Sequence, residues 1–407
     1  MSPLSDRAIR PRRSFAPYRR AVVVVLMSLS LGVAAADPGE SGPPAALQPW
    51  TWSAVYKADL LGADSPRAIA AMDNLNIQVD IDAAALFGWN DTALHGELLS
   101  NHGSKLNRRV GTAQGISNIE VTQSSARLYA IWIEQQFKAT KTRVLVGLYD
   151  LNSEFYATDA SGMLIHPSFG IGIDFSQSGR NGPSIFPNLG LGVRLRQPIG
   201  QGGYLQVAEL DGVPGDPDHP GRTLVRLSRS EGALLVAEAG WQQPGEVDPR
   251  PGHWGIGVWQ YTGKSDAIDG GASQRNRGVY AIAQGLLGGG EGGAGRTTVF
   301  VRAGAANRSV NDIDLALNAG VLIATPFGAN GPRAMTAGVA VARFSRSWNA
   351  VDQIPRRHEV ALEVDARWKL LPNVALQPLL QWVVHPGGRA GSAAIAGARL
   401  EWVLKPK

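Results

Sequence analysis

Arg194 and Arg196 stand two residues apart, Arg302 sits within an apolar run, and Glu363 shares its spacing with Glu359, Asp365 and Arg367. A guanidinium fork donates to two oxygens at once, and a carboxylate accepts from several donors. Such groups on one surface make a hydrogen-bonding wall; the plainer reading is that they wet a polar interior and balance one another. A reaction centre is harder to find. The seven histidines, His95, His102, His166, His219, His253, His358 and His385, are dispersed, with neither a His-x-His pair nor a His-Glu-x-x-His pattern. There is no cysteine, which removes thiolate nucleophiles, thiolate metal sites and disulfides together. No Gly-x-Ser-x-Gly elbow occurs, although a Ser-His-Asp set is spatial and leaves no fixed spacing. Gly290–Thr297 reads GEGGAGRT, the spacing of a phosphate loop with arginine for lysine. That loop requires a helix to follow it, and Thr298–Val301 reads as a strand, so a glycine-rich connection between strands is expected. Neither a cofactor nor a metal is expected.

The elements that must position the arginines and carboxylates are strands. In EVALEVDARW, residues 359–368, Glu359, Glu363, Asp365 and Arg367 take one face and Val360, Leu362, Val364 and Trp368 the other. Leu191–Arg196 opposes two arginines to Leu191, Val193 and Leu195, and Trp254–Tyr261 sets Trp254, Ile256 and Val258 against glycines. Val299–Gly304 opposes valines to Phe300 and Arg302, and Ala398–Trp402 opposes Arg399 and Glu401 to Leu400 and Trp402. Arg127–Gln136 is too mixed for its faces to be assigned. Helical periodicity is scarce, with Ser65–Met72 the best candidate.

Residues 1–36 differ from the remainder. Six arginines precede an apolar run over Ala21–Val33 that is too short to span a membrane, followed by small residues at Ala34–Ala36. This predicts a cleaved export signal, with only a faint likeness to a twin-arginine signal at Arg12–Arg13. It holds 6 of the 39 Lys+Arg and 1 of the 34 Asp+Glu, leaving 33 of each and no net charge. The basic balance of the whole chain therefore argues for no nucleic-acid partner.

The rest, 37–407, is expected to form one domain with strands over about 50–404. Short connections such as Lys369–Asn373 alternate with longer ones at Asp211–Arg222 and Thr262–Gly278. That asymmetry predicts an all-β, transmembrane antiparallel β-barrel with short periplasmic turns and longer extracellular loops. Division of the chain suggests 16 strands, each about ten residues with its tilt matched to an apolar band about 25 Å tall. Trp254, Trp368 and Trp402, at strand ends, suit an aromatic girdle. Asn307–Ser309 matches a glycosylation sequon to which nothing else in the chain gives weight.

A resemblance sharpens the expectation. Leu376–Gly388, LQPLLQWVVHPGG, looks like the C-terminal signature of the carbohydrate-selective porin family typified by the OprB porin. Arg127–Gln135, Val146–Phe155, Pro167–Gly170, Asn181–Pro187 and Phe300–Gly304 are similar to the family in the same order. Departures fall at Leu379, where members tend to be acidic, and at Gly331–Ala334, where Arg333 alone stands for an Arg-Pro-x-Asp cluster; both bear on channel polarity. Trp402, with a short tail after it, takes the place of a terminal aromatic.

The resemblance implies passive diffusion of mono- or small oligosaccharides such as glucose through the polar lumen of an outer-membrane barrel, monomeric or homotrimeric. A sugar presents hydroxyls and apolar C–H faces, so Arg194, Arg196, Arg302, Glu363, Gln377 and Gln381 become the candidate substrate-binding residues of the constriction. Alternatives are a porin for other small anionic or neutral solutes and an outer-membrane barrel enzyme, whose rim should display a catalytic set. A soluble periplasmic binding protein needs helices that the pattern lacks.

Overall fold

The period-two pattern resolves into sixteen strands in the computed structural model, which describes residues 49–244, 252–289, 295–327, 331–352 and 355–406. The expected export signal and most of Gly290–Thr297 lie outside those residues. In chain order the strands are β1 (Trp50–Asp64), β2 (Arg67–Asp82), β3 (Thr92–Gly103), β4 (Ser125–Phe137), β5 (Thr142–Tyr149), β6 (Gly190–Ile199), β7 (Gly203–Asp211) and β8 (Ala233–Gln242). There follow β9 (Gly252–Ser265), β10 (Gln274–Gly288), β11 (Thr297–Ala306), β12 (Ile313–Ala324), β13 (Ala334–Phe344), β14 (Glu359–Leu371), β15 (Val374–Val384) and β16 (Ser392–Leu404). Each pairs antiparallel with its neighbours, and β1 closes on β16 from Ala54 opposite Leu404 to Ala63 opposite Ile395. Closure leaves no unpaired edge, the condition for crossing hydrocarbon with strands. No helix among the described residues is long and apolar enough to do so.

Connections differ at the two ends. Pro372–Asn373, Gly200–Gly202 and Lys138–Lys141 are tight turns at the end where β1 begins and β16 finishes. The opposite end carries 104–124, 150–189, 212–232 and 345–358, the asymmetry expected from the sequence.

Side-chain direction follows the alternation. On β14, Leu362, Val364 and Trp368 point outward at 44%, 51% and 39% exposure, while Glu359 and Glu363 point inward at 0% and 1%. Trp254 and Trp402 also point outward, with Trp50 and Trp52 on the same turn end. The mixed segment at Arg127–Gln136 has a local cause. Pairing jumps from Glu97 opposite Ala130 to Leu98 opposite Leu128, so Tyr129 is an extra residue and both Tyr129 and Ala130 are buried inward. A bulge of this kind shifts the period of the strand by one.

Two expectations are corrected. Ser65–Met72 is no helix: Ser65 and Pro66 form the turn, and Arg67 onward is β2, paired residue by residue with β1. Its alanines favour helix locally, but Ala68, Ala70 and Met72 alternate as the inward residues that the barrel buries. The connection read at Thr262–Gly278 shrinks to 266–273, because β9 and β10 run on beyond their neighbours.

The outward assignment predicts a depth-dependent penalty. Val364→Lys, at the middle of β14, should destabilise the barrel in lipid by about 2–4 kcal/mol, and Leu371→Lys, at its turn end, by about 0–1 kcal/mol. Urea unfolding in vesicles measures both; equal costs would contradict the placement of β14 in the apolar band.

Candidate functional site

The inward polar residues meet two different environments, because the connections 104–124 and 150–189 fold into the barrel. A buried connection must find partners for its backbone, and the opposite wall provides them. Glu359 accepts from the amides of Ala113 (2.7 Å), Gln114 (2.8 Å) and Gly387. Glu363 accepts from those of Ile165 (2.7 Å) and His166 (2.8 Å). Gln381 donates to the carbonyl of Ile116 and Gln377 to that of Met163, each at 2.9 Å. Arg302 donates to the carbonyls of Phe169, Tyr156 and Gly170 and to the Ser161 hydroxyl. From the first strand, Asp59 pairs with Arg399 and accepts from Ser117, while Arg399 reaches Asn118.

Apolar packing completes the plug. Leu106, Ile116, Ile119, Leu164, Ile165 and Phe169 from the connections pack against Leu61, Met72, Phe300, Leu379, Val383 and Ile395 from the wall. Tyr156 stacks on Tyr280 at 4.2 Å and Phe175 on Trp259 at 4.7 Å. The inward glycines of the wall make room: a Cβ at Gly257 would lie 2.1 Å from the Tyr280 ring, and one at Gly338 2.7 Å from the Phe169 ring.

Of the six residues expected at the constriction, Arg302, Glu363, Gln377 and Gln381 are thus fully buried under the connections and do not line the open passage. Arg196 is also enclosed, donating to Gln206 and Gln242 and lying 4.3 Å over the Tyr204 ring. Only Arg194 borders the passage. Glu359 and Asp365, expected to be wetted by the lumen, are 0% and 3% exposed. Period two told which way they point, and the in-folded connections replaced the water they were expected to meet.

Within the connections, burial of titratable groups is deep. The Asp174 carboxyl, which accepts from the Tyr156 hydroxyl at 3.2 Å, is pushed up to about 7 by desolvation, and burial lowers the His166 imidazole to about 3.

The open passage, about 1190 Å³, runs between the connections and the wall formed by β1–β6. Arg194 is its best-held charge. Its guanidinium contacts Glu134 on β4 and lies 2.7 Å from Glu154 on the second connection, and Glu134 also lies 3.5 Å from Arg143 on β5. Arg194 is 2% exposed, whereas Arg143, Glu134 and Glu154 are open at 37%, 16% and 20%. The exposed hydrogen-bonding edge therefore belongs to those three, with Arg194 holding the carboxylates behind them. Beside them Trp132 stacks on His95 with ring centres 4.8 Å apart. His95 in turn lies 2.8 Å from Asp80 and 3.7 Å from Glu97, which Asn76 also contacts.

Charge in the passage is balanced. Among the described lining residues the bases are Lys57, Lys105, Arg108, Arg143 and Arg194, and the acids are Glu97, Glu120, Glu134, Asp150 and Glu154. Glu134, Trp132 and Glu154 stand inside the segments resembling the porin family, yet nothing in their spacing singled them out. Arg143, on the short strand β5, carried no signal at all.

Two predictions concern the plug. Arg302→Gln leaves carbonyls of the second connection without donors, at a cost of about 1–3 kcal/mol for each left unsatisfied. Larger and noisier single-channel steps are expected; an unchanged conductance would show that Arg302 does not hold the plug. Asp174 adds a pH dependence. Between about 3.8 and 7 the folded chain retains a proton that the unfolded chain has released, so the contribution to stability falls as pH rises through that window and is flat above it. Asp174→Asn should therefore gain stability relative to the parent on going from pH 5 to pH 8, read from urea midpoints, and a constant difference would refute the assignment.

Comparison with known proteins agrees with this architecture. The family model described as carbohydrate-selective porin, OprB family, matches residues 67–404. No curated protein matches the chain significantly. Among solved structures, the high-pH structure of Pseudomonas putida OprB superimposes with TM-score 0.74 at 17% identity, covering 87% of this chain and 94% of that one. The low-pH structure of the same protein gives 0.55 at 15% identity, covering 87% and 92%. A mutant of the Rh. blastica porin gives 0.51 at 10% identity, covering 87% and 100%. At these identities the structural likeness bears on fold alone. The fold is that of a sixteen-stranded porin, and with a family model matched over more than four-fifths of its length, the chain belongs to the OprB family of carbohydrate-selective porins.

Proposed function

We propose that the passage conducts small neutral carbohydrates down their gradient across the outer membrane, with Arg143, Glu134 and Glu154 contacting solute hydroxyls and the Trp132 ring offering a surface for C–H faces. Arg194 acts as a positioning residue that keeps both carboxylates at the passage wall. The observation that carries this reading is the balance of five bases against five acids in one passage that also presents an aromatic ring. A net field of either sign would favour ions; paired donors and acceptors favour a molecule that both gives and takes hydrogen bonds.

The size of the passage agrees. At about 1190 Å³ it exceeds the range of roughly 300–1,000 Å³ usual for pockets that enclose a small ligand. Weak, successive contacts suit a channel, since a solute held tightly does not leave. No reaction is required of any residue. Residues 1–36 serve as the export signal, and either a monomer or a homotrimer has one such passage in each chain.

The test is single-channel recording from the refolded mature chain in a planar bilayer, with glucose, maltose and a dicarboxylate titrated against the current. Block by the two sugars at millimolar concentration is expected. Glu134→Gln with Arg143→Gln should weaken that block about thirtyfold, since each neutral amide still hydrogen-bonds but with about 1 kcal/mol less than the charged group it replaces. Arg194→Lys, which keeps the charge but not the fork, should weaken it less. Block by the dicarboxylate alone would overturn the neutral-solute reading, and sugar block indifferent to all three substitutions would overturn the assigned wall.

A further inference from the structure

On the outer face, β6–β11 form a concave groove of about 1130 Å³ in the half of the barrel nearer the long connections. Its sides are Val193, Val207, Leu235, Val258 and Val279, each 40–53% exposed, and its floor is lowest at Ala237, which stands between Val207 and Val258 in the ladder. A convex apolar band needs only the general run of lipid chains, but a groove of this depth accommodates a chain lying along it.

The upper end of the groove is basic. Arg277 and Arg308 line it, both exposed. Immediately above, on the projecting β9–β10 hairpin, Arg275 faces Lys264 across the two strands. Like charges directly opposite are unfavourable in a sheet. No carboxylate among the described residues forms an ion pair with any of these four side chains. Glu209, the acid within the groove, is no counterion to Arg277: Leu235 and Gln260 stand between them in the ladder. Arginine forks match phosphate oxygens in geometry as well as charge.

We propose that this groove is a lipid site, which holds a phosphate-bearing lipid of the outer leaflet with an acyl chain over the low floor at Ala237 and its phosphate between Arg277 and Arg308. The placement follows from complementarity at both ends: unpaired cations where headgroups lie, and apolar relief where chains lie. A second copy docked on this face about a two-fold axis would bring the same four cations to the seam and add to their repulsion.

Native mass spectrometry of the folded chain in detergent tests the proposal, using phosphatidic acid and the diacylglycerol with the same chains as probes. One phosphatidic acid retained per barrel, in preference to diacylglycerol, is expected. Arg277→Gln should lower that retention about fivefold, with a similar further loss on adding Arg308→Gln. Ala237→Phe should expel the lipid by filling the floor, while heat-modifiable migration and unaltered sugar block report an intact barrel. Should Ala237→Phe impair folding, the arginine variants carry the test alone. Equal retention of both probes, or retention indifferent to the arginine substitutions, would reduce the groove to ordinary lipid contact and overturn the proposal. So would a paired barrel species that Ala237→Phe abolishes.

Discussion

Backbone taken out of water must have its N–H and C=O groups paired, and in this barrel that requirement operates twice. The first time it closes the wall, β1 on β16, so that no strand presents an edge to hydrocarbon. The second time it fixes the interior. The connections 104–124 and 150–189 pair only part of their own amides and carbonyls through short turns, and for others the wall supplies single side chains at the right heights. A carboxylate with two oxygens takes two successive amides, as Glu363 does at Ile165 and His166. A guanidinium with several N–H groups gathers carbonyls from separated turns, as Arg302 does at Tyr156, Phe169 and Gly170. Chemistry that looks suited to a solute serves the chain itself.

That dual use explains what could be read in advance. Alternation marks the face of a residue, and on β6, β9, β11, β14 and β16 it marked the faces as the structure has them. It is silent about what the face meets. Glu359 and Glu363 have the same period whether water or a connection lies across from them, and only contacts separated by some two hundred residues decide. Arg127–Gln136 was opaque for a local reason, the extra residue at Tyr129, and Ser65–Met72 misled because alanine's helical preference is weaker than fifteen paired positions against β1. The passage residues Arg143, Glu134 and Glu154 come from two strands and a connection, a grouping with no sequence spacing to detect.

Strand number sets how wide a barrel is, but here the packing of the connections sets how wide the opening is. On the β8–β16 side the wall is built to receive them: small inward residues, Gly257 and Gly338 among them, leave space that Tyr280 and Phe169 fill. On β1–β4 the inward residues that border the passage are Lys57, Asn74, Asn76, Glu97 and Glu134, long or polar groups, while Asp59, Leu61 and Met72 of the same strands meet the connections. The plug is therefore held mainly by one part of the circumference, and the open passage lies along the other.

Arg194 stands where those two parts meet. It leaves the wall at β6, next to the end of the second connection, and takes one carboxylate from the wall, Glu134, and one from the connection, Glu154. A buried guanidinium is costly to desolvate unless its donors are used, and two carboxylates meet that demand, Glu154 with both of its oxygens and Glu134 with one while its other lies near Arg143. The wall of the passage is consequently rigid where it is most charged, and its charges are already neutralised by each other. Such a wall exerts little net pull on an ion, and what it presents is a fixed pattern of hydrogen-bonding groups.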